Sequence, residues 1–303
     1  MTLTEESVSF PTLDGVTLRG SLYPAPTRGP AIIMTPGFNS LPSMLGLPDV
    51  AHYFHLHGYT VLLYSPRNTG ASDGSPRHEI DPSQQTSDYS DAISFLSTLE
   101  RVKPAEIFIW GISFSASVAL CTAALDKRIR AVIAVAPLTA FTLPPDKQPQ
   151  VLSRCMQDRT AQLHGNEPFY LPMLRKDGTN PAGFGTGIDR ERYGRLVTAG
   201  RELAPGHVNR TTIQSYYKLI MWQPFPLWET MVAPTPCLWV IPELDQLSPA
   251  ERQRHYFDKM KGESKQMWLQ EGVGHMDVVQ GEHLEGLMGV MFRFLENVIQ
   301  GTL

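Results

Sequence analysis

Short apolar segments alternate with helical segments between residues 30 and 136, and this alternation constrains the fold more than any other feature. The apolar segments are PAIIMTPG, YTVLLYSP, EIFIW and IRAVIAVAP. They lack the two-residue rhythm of a strand that exposes one face to water. Strands that are apolar throughout are typical of a parallel sheet covered by helices on both faces. The pattern therefore predicts an α/β fold with a mostly parallel sheet.

The connections between these segments predict three helices. Residues 47–57 have helical spacing and are followed by Gly58, a natural C-terminal stop. A second helix is expected over residues 87–99, with Ser87 as its cap, and a third over residues 113–125. Ahead of them, the segment VSFPTLDGVTLRGSLYP predicts a hairpin that turns at its Asp-Gly pair.

The alternation stops near residue 138 and resumes near residue 231. The intervening stretch is rich in Pro, Gly, Arg and aromatic residues. After it, PCLWVIP and KQMWLQ indicate two further strands, separated by one helix and followed by a long final helix over residues 282–299. We therefore expect a core domain of residues 1–137 and 231–303, interrupted by a helical cap of residues 138–230. Insertions of that length in a compact domain are usually functional.

Composition excludes several classes of function. The 303 residues carry a net charge of -4 without a long Lys/Arg run, so nucleic acid and anionic membranes are not expected partners. No apolar run approaches the roughly 18 residues of a membrane helix, and the polar first residues do not resemble a secretory signal. The three widely spaced cysteines fit a reducing compartment, which predicts a cytoplasmic protein. Either a monomer or a homodimer is compatible with the sequence.

The segment GISFSAS, residues 111–117, predicts a nucleophilic serine at Ser113. It joins the apolar strand EIFIW to the start of a helix. A tight strand-to-helix turn exposes a hydroxyl and leaves backbone N–H groups beside it for developing negative charge. Such turns need small residues on either side, and Gly111 and Ser115 supply them, although the usual G-x-S-x-G pattern has glycine at both positions. The alternative is an ordinary helix start that is rich in small residues.

A serine nucleophile needs a base, and His275 has the expected position. It follows the strand KQMWLQ in the glycine-flanked loop GVGH, ahead of the last helix. The other clustered histidines, His52, His55 and His57, lie where a helix is expected to end and have no acidic neighbour beside them. No metal site is predicted there.

The acid that orients the histidine is expected in the loop after the preceding strand, in PCLWVIPELDQLSP. Asp245 is the better candidate because it lies deeper in the loop, just before Ser248. Glu243 is the alternative. Asp277, two residues past the histidine, is a further carboxylate that could substitute.

Two backbone donors complete the predicted site by forming an oxyanion hole. The N–H of Phe114, directly after the serine, is one donor, and the N–H of Phe38 in the loop TPGFNS is the other. Asn39 could add a side-chain donor. Gly37 lets this loop turn, although PGFN on its own is equally compatible with a plain turn.

These motifs together resemble the α/β-hydrolase superfamily. The segments TPGFNS, YSPRNTGASDGSPRHEIDP, WGISFSAS, ELDQLSP and GVGH are similar to those of fungal hydrolases and polyketide transferases of secondary metabolism, which are related to dienelactone-hydrolase-like proteins. The resemblance runs from about residue 5 to about residue 300 and is weakest in the insertion. It implies Ser113, Asp245 and His275 as the catalytic triad, and Phe38 and Phe114 as the oxyanion donors.

The sequence departs from the family pattern at two further positions. Pro36 stands where many relatives have histidine, and Asn68 replaces a glycine of the R-G-x-G-x-S-x-G loop that begins at Arg67. This loop commonly has a structural role in the family, so no chemistry is assigned to it. The N–H of Phe38 remains available beside Pro36.

The predicted function is acyl hydrolysis through a covalent serine ester, without a cofactor or metal, since no G-x-G-x-x-G loop or ligand cluster is found. The alternatives are acyl transfer, a non-hydrolytic cyclisation or C–C bond reaction, and ligand binding without catalysis. Large apolar residues of the cap predict a bulky hydrophobic small-molecule ester, thioester or lactone as substrate, and the resemblance implies a polyketide-derived acyl group. The expected binding residues are Tyr170, Trp222, Phe225 and Trp228. They belong to a wider set of large apolar residues, part of which should form the cap's own core: Phe169, Tyr170, Met173, Phe184, Tyr216, Tyr217, Met221, Trp222, Phe225 and Trp228.

Overall fold

An eight-stranded, mainly parallel sheet organises the fold in a computed structural model that describes residues 5–184 and 204–303 and the single residues 191, 194, 198 and 202. Its strands are β1 (Glu6–Pro11), β2 (Thr17–Tyr23), β3 (Gly29–Thr35), β4 (Thr60–Tyr64), β5 (Val102–Ile112), β6 (Ala131–Val135), β9 (Cys237–Pro242) and β10 (Lys265–Gln270). Their order is β1-β2-β4-β3-β5-β6-β9-β10. The pairs β1/β2 and β2/β4 are antiparallel and the others are parallel. The predicted α/β class is confirmed.

Helices cover both faces of the sheet. They are α1 (Leu47–Leu56), α2 (Pro82–Ser97), α3 (Phe114–Leu125), α7 (Ala250–Lys259) and α8 (His283–Gln300). Consecutive residues of β3 point to opposite layers, because Ile33 packs with the apolar residues of α2 and α3 while Ile32 packs with those of α1 and α8. The apolar side chains of both layers are almost fully buried. The strands are therefore apolar along their length because helices cover both faces of the sheet, as the sequence predicted.

The start of α2 differs from its prediction. The helix begins at Pro82 instead of Ser87, because the side chain of Asp81 accepts hydrogen bonds from the N–H groups of Ser83 and Gln84. Proline at the first helical position has no N–H that needs a partner. The true start signal was therefore an acidic cap followed by proline, and the cap lies six residues before Ser87.

The chain between β6 and β9 forms a mixed insertion. Its described elements are α4 (Gln148–Leu163), the two-stranded antiparallel sheet of β7 (Tyr170–Leu171) and β8 (Thr211–Thr212), α5 (Ile213–Met221) and α6 (Phe225–Met231). The Lys218 ammonium of α5 ties it to the core through Glu79 (2.7 Å) and Asp81 (2.8 Å). The domain boundaries at 137/138 and 230/231 stay a prediction. None of the helices in the described ranges is long and apolar enough to cross a bilayer.

Candidate active site

Ser113 occupies a strained turn between β5 and α3. Its backbone has φ 57° and ψ -121°, and residues other than glycine rarely adopt a positive φ. The Ser113 N–H donates to the carbonyl of Val135 at 2.8 Å, which helps to hold the turn against β6. A Cβ added at Gly111 would lie 2.4 Å from the carbonyl oxygen of Ser115, so the turn excludes any side chain there. Strain of this kind is typical of functional turns.

Ser115, which replaces the second glycine of the family pattern, has a structural use. Its hydroxyl oxygen accepts the N–H of Ile112 at 2.9 Å. The same hydroxyl lies 2.9 Å from the carbonyl of Thr35 at the end of β3, to which it donates. The loop that carries Phe38 begins directly after Thr35. The substitution therefore links the serine turn to the loop that faces it.

The structure brings the side chains of Ser113, Asp245 and His275 together from the ends of three strands. The Ser113 Oγ lies 2.8 Å from the His275 Nε2, and the His275 Nδ1 lies 2.7 Å from the Asp245 Oδ2. A carboxylate only accepts hydrogen bonds, so the His275 Nδ1 is the donor and the Nε2 is free to accept the serine proton. His275 and Asp245 are buried, while Ser113 is half-buried.

Of the candidate acids, Asp245 is the carboxylate that reaches the ring of His275. Its Oδ1 accepts the N–H groups of Leu247 (2.9 Å) and Ser248 (2.8 Å), and its Oδ2 also accepts the side-chain amide of Gln253 (2.9 Å). These donors fix the position of the carboxylate beside the ring.

Glu243, the alternative acid, is exposed and accepts the N–H of Gly272 at 2.8 Å. It joins the loop after β9 to the loop after β10. Glu243 therefore helps to hold these two loops together, and its carboxylate is not the one that bonds the imidazole of His275.

The loop before α1 faces the serine turn. The N–H of Ser40 donates to the carbonyl of Gly37 at 3.2 Å, and Asn39 has φ 50°, so residues 37–40 form a tight turn with a left-handed third residue. A Cβ added at Gly37 would lie 3.4 Å from the Cβ of Ser113. Within the described part of the chain, the N–H groups of Phe38 and Phe114 donate to no other group. Both donors are thus available beside Ser113.

A cavity of about 100 Å³ opens onto Ser113 and His275. Its wall is mostly apolar. Leu138, Met173, Leu174, Asn180 and Phe184 line it from the insertion. Gly37, Phe38, Ser40, Leu45, Ile112, Leu247, Met276 and Val279 line it from the core. Pockets with such walls and few polar groups are typical of sites for hydrophobic ligands.

The four expected binding residues do not line this cavity. Trp228 is fully buried and packs edge-on against Trp239, with ring centroids 5.8 Å apart. Phe225 stacks on Tyr256 at 4.0 Å, so both residues of α6 contribute to the core. An aromatic pattern alone does not distinguish such packing from a ligand wall.

The other two expected residues have partners of their own. The ring of Trp222 packs against Phe141 (4.8 Å) and Phe114 (6.1 Å), the residue that follows Ser113. The ring of Tyr170 lies under the guanidinium of Arg210 at 4.4 Å. Of the insertion residues that do line the cavity, Met173 and Phe184 belong to the wider apolar set expected from the sequence, whereas Leu138, Leu174 and Asn180 lie in irregular chain where no periodicity singled them out.

The loop that begins at Arg67 is structural, as the sequence suggested. The buried guanidinium of Arg67 forms ion pairs with Asp88, which is fully buried, and with Asp14. Asn68, which replaces the family's glycine, has φ 65°, a conformation that asparagine tolerates better than most residues. Across the described residues, no group of three or more His, Cys, Asp or Glu could hold a metal ion.

Comparison with known proteins agrees with this geometry. A profile of the Alpha/beta hydrolase family matches residues 32–287. The chain is 48% identical to a thiohydrolase of Eupenicillium brefeldianum over 96% of this chain and 94% of that protein. It is 45% identical to a polyketide transferase of Stachybotrys chlorohalonatus over 98% and 99%.

A solved structure extends the similarity to three dimensions. The crystal structure of the alpha/beta hydrolase GrgF from Penicillium sp. sh18 superposes with a TM-score of 0.87 at 41% identity, over 97% of this chain and 99% of that one. The sheet order, the serine turn and the sequence matches agree. The chain therefore belongs to the alpha/beta hydrolase family and is an enzyme of the hydrolase or acyltransferase class.

Proposed function

We propose that the chain is a serine-dependent acyl hydrolase that cleaves an ester, thioester or lactone of a bulky hydrophobic, polyketide-derived acid. The observation that carries this proposal is the Ser113 Oγ at 2.8 Å from the His275 Nε2, at the wall of an apolar cavity. A hydroxyl paired with an imidazole that a carboxylate orients is the arrangement that activates serine.

In the acylation step, the His275 Nε2 takes the hydroxyl proton while the Ser113 Oγ attacks the acyl carbonyl carbon. The carbonyl oxygen becomes an oxyanion, and the N–H groups of Phe38 and Phe114 donate to it. When the intermediate collapses, the bond to the leaving alcohol or thiol breaks. The imidazolium returns its proton to that leaving group, while Asp245 stabilises the positive ring.

Deacylation repeats these roles with water. His275 takes a proton from the water molecule as the water oxygen attacks the serine ester. The second oxyanion occupies the same donors, and collapse releases the carboxylic acid and restores the Ser113 hydroxyl. The imidazolium gives its proton to the Ser113 Oγ as the bond to the acyl group breaks. No atom changes oxidation state, so the reaction needs no redox partner.

The substrate class follows from the cavity wall. Of the described insertion residues that line it, Leu138, Met173, Leu174 and Phe184 are apolar, and Asn180 is engaged through its amide with the hydroxyl of Tyr216 at 2.8 Å. Such a wall favours a hydrophobic acyl group over a small polar one. The polyketide origin of that group is proposed because several similar proteins are called polyketide transferases.

Acyl transfer is the second candidate, and the names of the relatives favour it specifically. The similar proteins include a thiohydrolase and several polyketide transferases. The same acyl-serine would then be attacked by an alcohol or amine in place of water. A cyclisation or C–C bond reaction would likewise use the cavity without releasing a free acid.

A fluorophosphonate probe tests the serine chemistry. We expect a covalent adduct on Ser113 in the native chain, detected by peptide mass spectrometry, and no adduct in Ser113→Ala. The labelling rate of His275→Ala should fall by about a thousandfold or more. Absence of labelling in the native chain would contradict the proposal and favour a ligand-binding protein.

Two product measurements then separate the candidate reactions. With thioesters of acetyl to octanoyl length, we expect kcat/KM to rise with chain length, and a steady fall would contradict the hydrophobic substrate class. With an added alcohol acceptor, hydrolysis predicts that free acid remains the main product. Ester formation at the expense of free acid would favour acyl transfer.

A further inference from the structure

A short segment of the insertion is fastened to the turn that carries Phe38. The Nε2 of His207 donates to the carbonyl oxygen of Asn39 at 2.9 Å. In the opposite direction, the side-chain amide of Asn39 donates to the carbonyl of Val208 at 3.2 Å. Residues 204–208 are named the clasp below. Two hydrogen bonds of opposite direction thus join the clasp to one residue of the turn.

Apolar packing supports the same contact. Ala204 is buried together with Leu41 and Met44, which follow the turn in sequence, and these three form a small cluster separate from the two main cores. Within the clasp, the N–H of His207 donates to the carbonyl of Ala204 at 2.8 Å. The clasp is therefore seated on the loop at both of its ends.

Asn39 is the residue of the turn that the clasp contacts directly. Its φ of 50° is a left-handed conformation, which asparagine tolerates better than most residues other than glycine. It is nearly buried, with 6% of its surface exposed. The clasp bonds its carbonyl and its side-chain amide, and the same amide also donates to the Sδ of Met173 at 3.6 Å. Without the bonds to the clasp, the Asn39–Ser40 peptide is freer to rotate. The N–H of that peptide holds the carbonyl of Gly37, which shares a peptide unit with the N–H of Phe38.

The neutral ring of His207 can donate the hydrogen bond to Asn39. Burial lowers the pKa of His207, which favours the neutral ring. A neutral imidazole has one N–H, and contact with a carbonyl oxygen requires that hydrogen to be on the Nε2. His207 is absent from the described lining of the cavity, so its effect on a reacting group must pass through the turn.

We propose that His207 is a positioning residue, which holds Asn39 so that the neighbouring N–H of Phe38 stays directed at the oxyanion. The inference rests on the proposed function and adds to it. Because His207 belongs to the insertion, the oxyanion hole is complete only when the clasp is seated, and the insertion controls reactivity as well as substrate access.

The expected size of the effect follows from geometry. An oxyanion donor acts at about 2.7–3.1 Å, and removing one donor costs about a hundred- to a thousandfold in kcat. A loosened turn misplaces the donor without removing it. We therefore expect His207→Ala to lower the chemical rate by about ten- to a hundredfold, while binding of the acyl group changes by less than about threefold.

The experiment measures fluorophosphonate inactivation of the purified full chain, which separates the maximal rate constant from the half-saturating probe concentration. Three variants are compared with the native chain. His207→Ala removes the donor, and His207→Gln retains a side-chain N–H at a similar reach. His164→Ala is the matched control, because His164 also bonds a backbone carbonyl, that of Thr160 at 2.9 Å, but at the exposed end of α4.

We expect the maximal rate to fall in His207→Ala, to recover to within about fivefold of native in His207→Gln, and to stay native in His164→Ala. Thermal unfolding monitors the folded fraction in every variant. A native maximal rate in His207→Ala, a change confined to half-saturation, or a loss that only follows the unfolded fraction and that glutamine does not restore would each overturn the inference. If the native chain is not labelled at Ser113, the proposed function itself fails, and the inference fails with it.

Discussion

Replacing Asp245 by asparagine tests the orientation of the proposed base with the smallest possible change in shape. The native carboxylate receives four hydrogen bonds. Its Oδ1 accepts two backbone N–H groups, and its Oδ2 accepts the side chains of His275 and Gln253. An asparagine amide places an acceptor oxygen at one position and a donor NH₂ group at the other. The NH₂ group must therefore face groups that are themselves donors.

Two backbone N–H groups fix the orientation of the asparagine amide. The N–H groups of Leu247 and Ser248 cannot be reversed, so the asparagine oxygen takes the Oδ1 position and its NH₂ group faces His275. The ring can accept this donor only by moving its proton from Nδ1 to Nε2. An Nε2 that carries a proton cannot take the proton of Ser113.

Gln253 can adjust more easily than the ring. Its Oε1 is buried and has no hydrogen-bond partner among the residues that the structure describes, so a rotated amide could accept the new NH₂ group. Rotation would give up the bond that its NH₂ makes to the carbonyl of Ser248. We therefore expect Asp245→Asn to fold, with a loss in unfolding free energy of about 1–3 kcal/mol for the imperfectly paired groups.

The wrong tautomer in a serine triad lowers kcat by about 10⁴, which corresponds to about 5.5 kcal/mol of transition-state stabilisation. The assay is release of thiol from an octanoyl thioester, followed together with fluorophosphonate labelling. The matched control is Glu243→Gln, the same carboxylate-to-amide change at the exposed neighbour, which we expect to keep kcat within about threefold of native. If Asp245→Asn kept kcat within tenfold of the native chain, Asp245 would not be the orienting acid. A larger loss in Glu243→Gln than in Asp245→Asn would transfer that role to Glu243.

Three further outcomes follow from the packing. Gly111→Ala places a Cβ 2.4 Å from the Ser115 carbonyl, so thermal unfolding should show a loss of about 1–3 kcal/mol, together with lost labelling. Arg67→Met leaves Asp88 buried and uncompensated, and urea unfolding should report a loss of about 3–5 kcal/mol. Burial, with nearby arginines, lowers the pKa of His78 to about 4. In the unfolded chain this imidazole titrates near pH 6.5, so the free energy of unfolding should fall as the pH drops from about 6.5 towards 4. The fall should be smaller in His78→Asn, because asparagine does not titrate in this range and tolerates the φ of 62° at this position.

Helix α2 and the aromatic residues of the insertion show where prediction from the local sequence fails. The cap at Asp81 was readable from the sequence, because an acidic residue followed by proline is a helix start, but the serine further along offered a competing signal. The role of Trp228 was not readable. A buried indole and a ligand-facing indole have the same sequence signature, and only contact with Trp239 decided between them.

The sequence by itself determined the sheet, the serine turn and the order of the proposed catalytic residues. These features are local, because an apolar strand, a small-residue turn and a glycine-flanked histidine each express a short-range preference, and the ends of parallel strands share one edge of a sheet. Tertiary structure alone decided that Asp245 contacts the ring of His275, that residues 173–184 supply part of the cavity wall, and that His207 fastens the turn at Asn39. Those contacts join residues between 30 and 168 positions apart, or depend on which side of a loop packs inward, and no local preference specifies either.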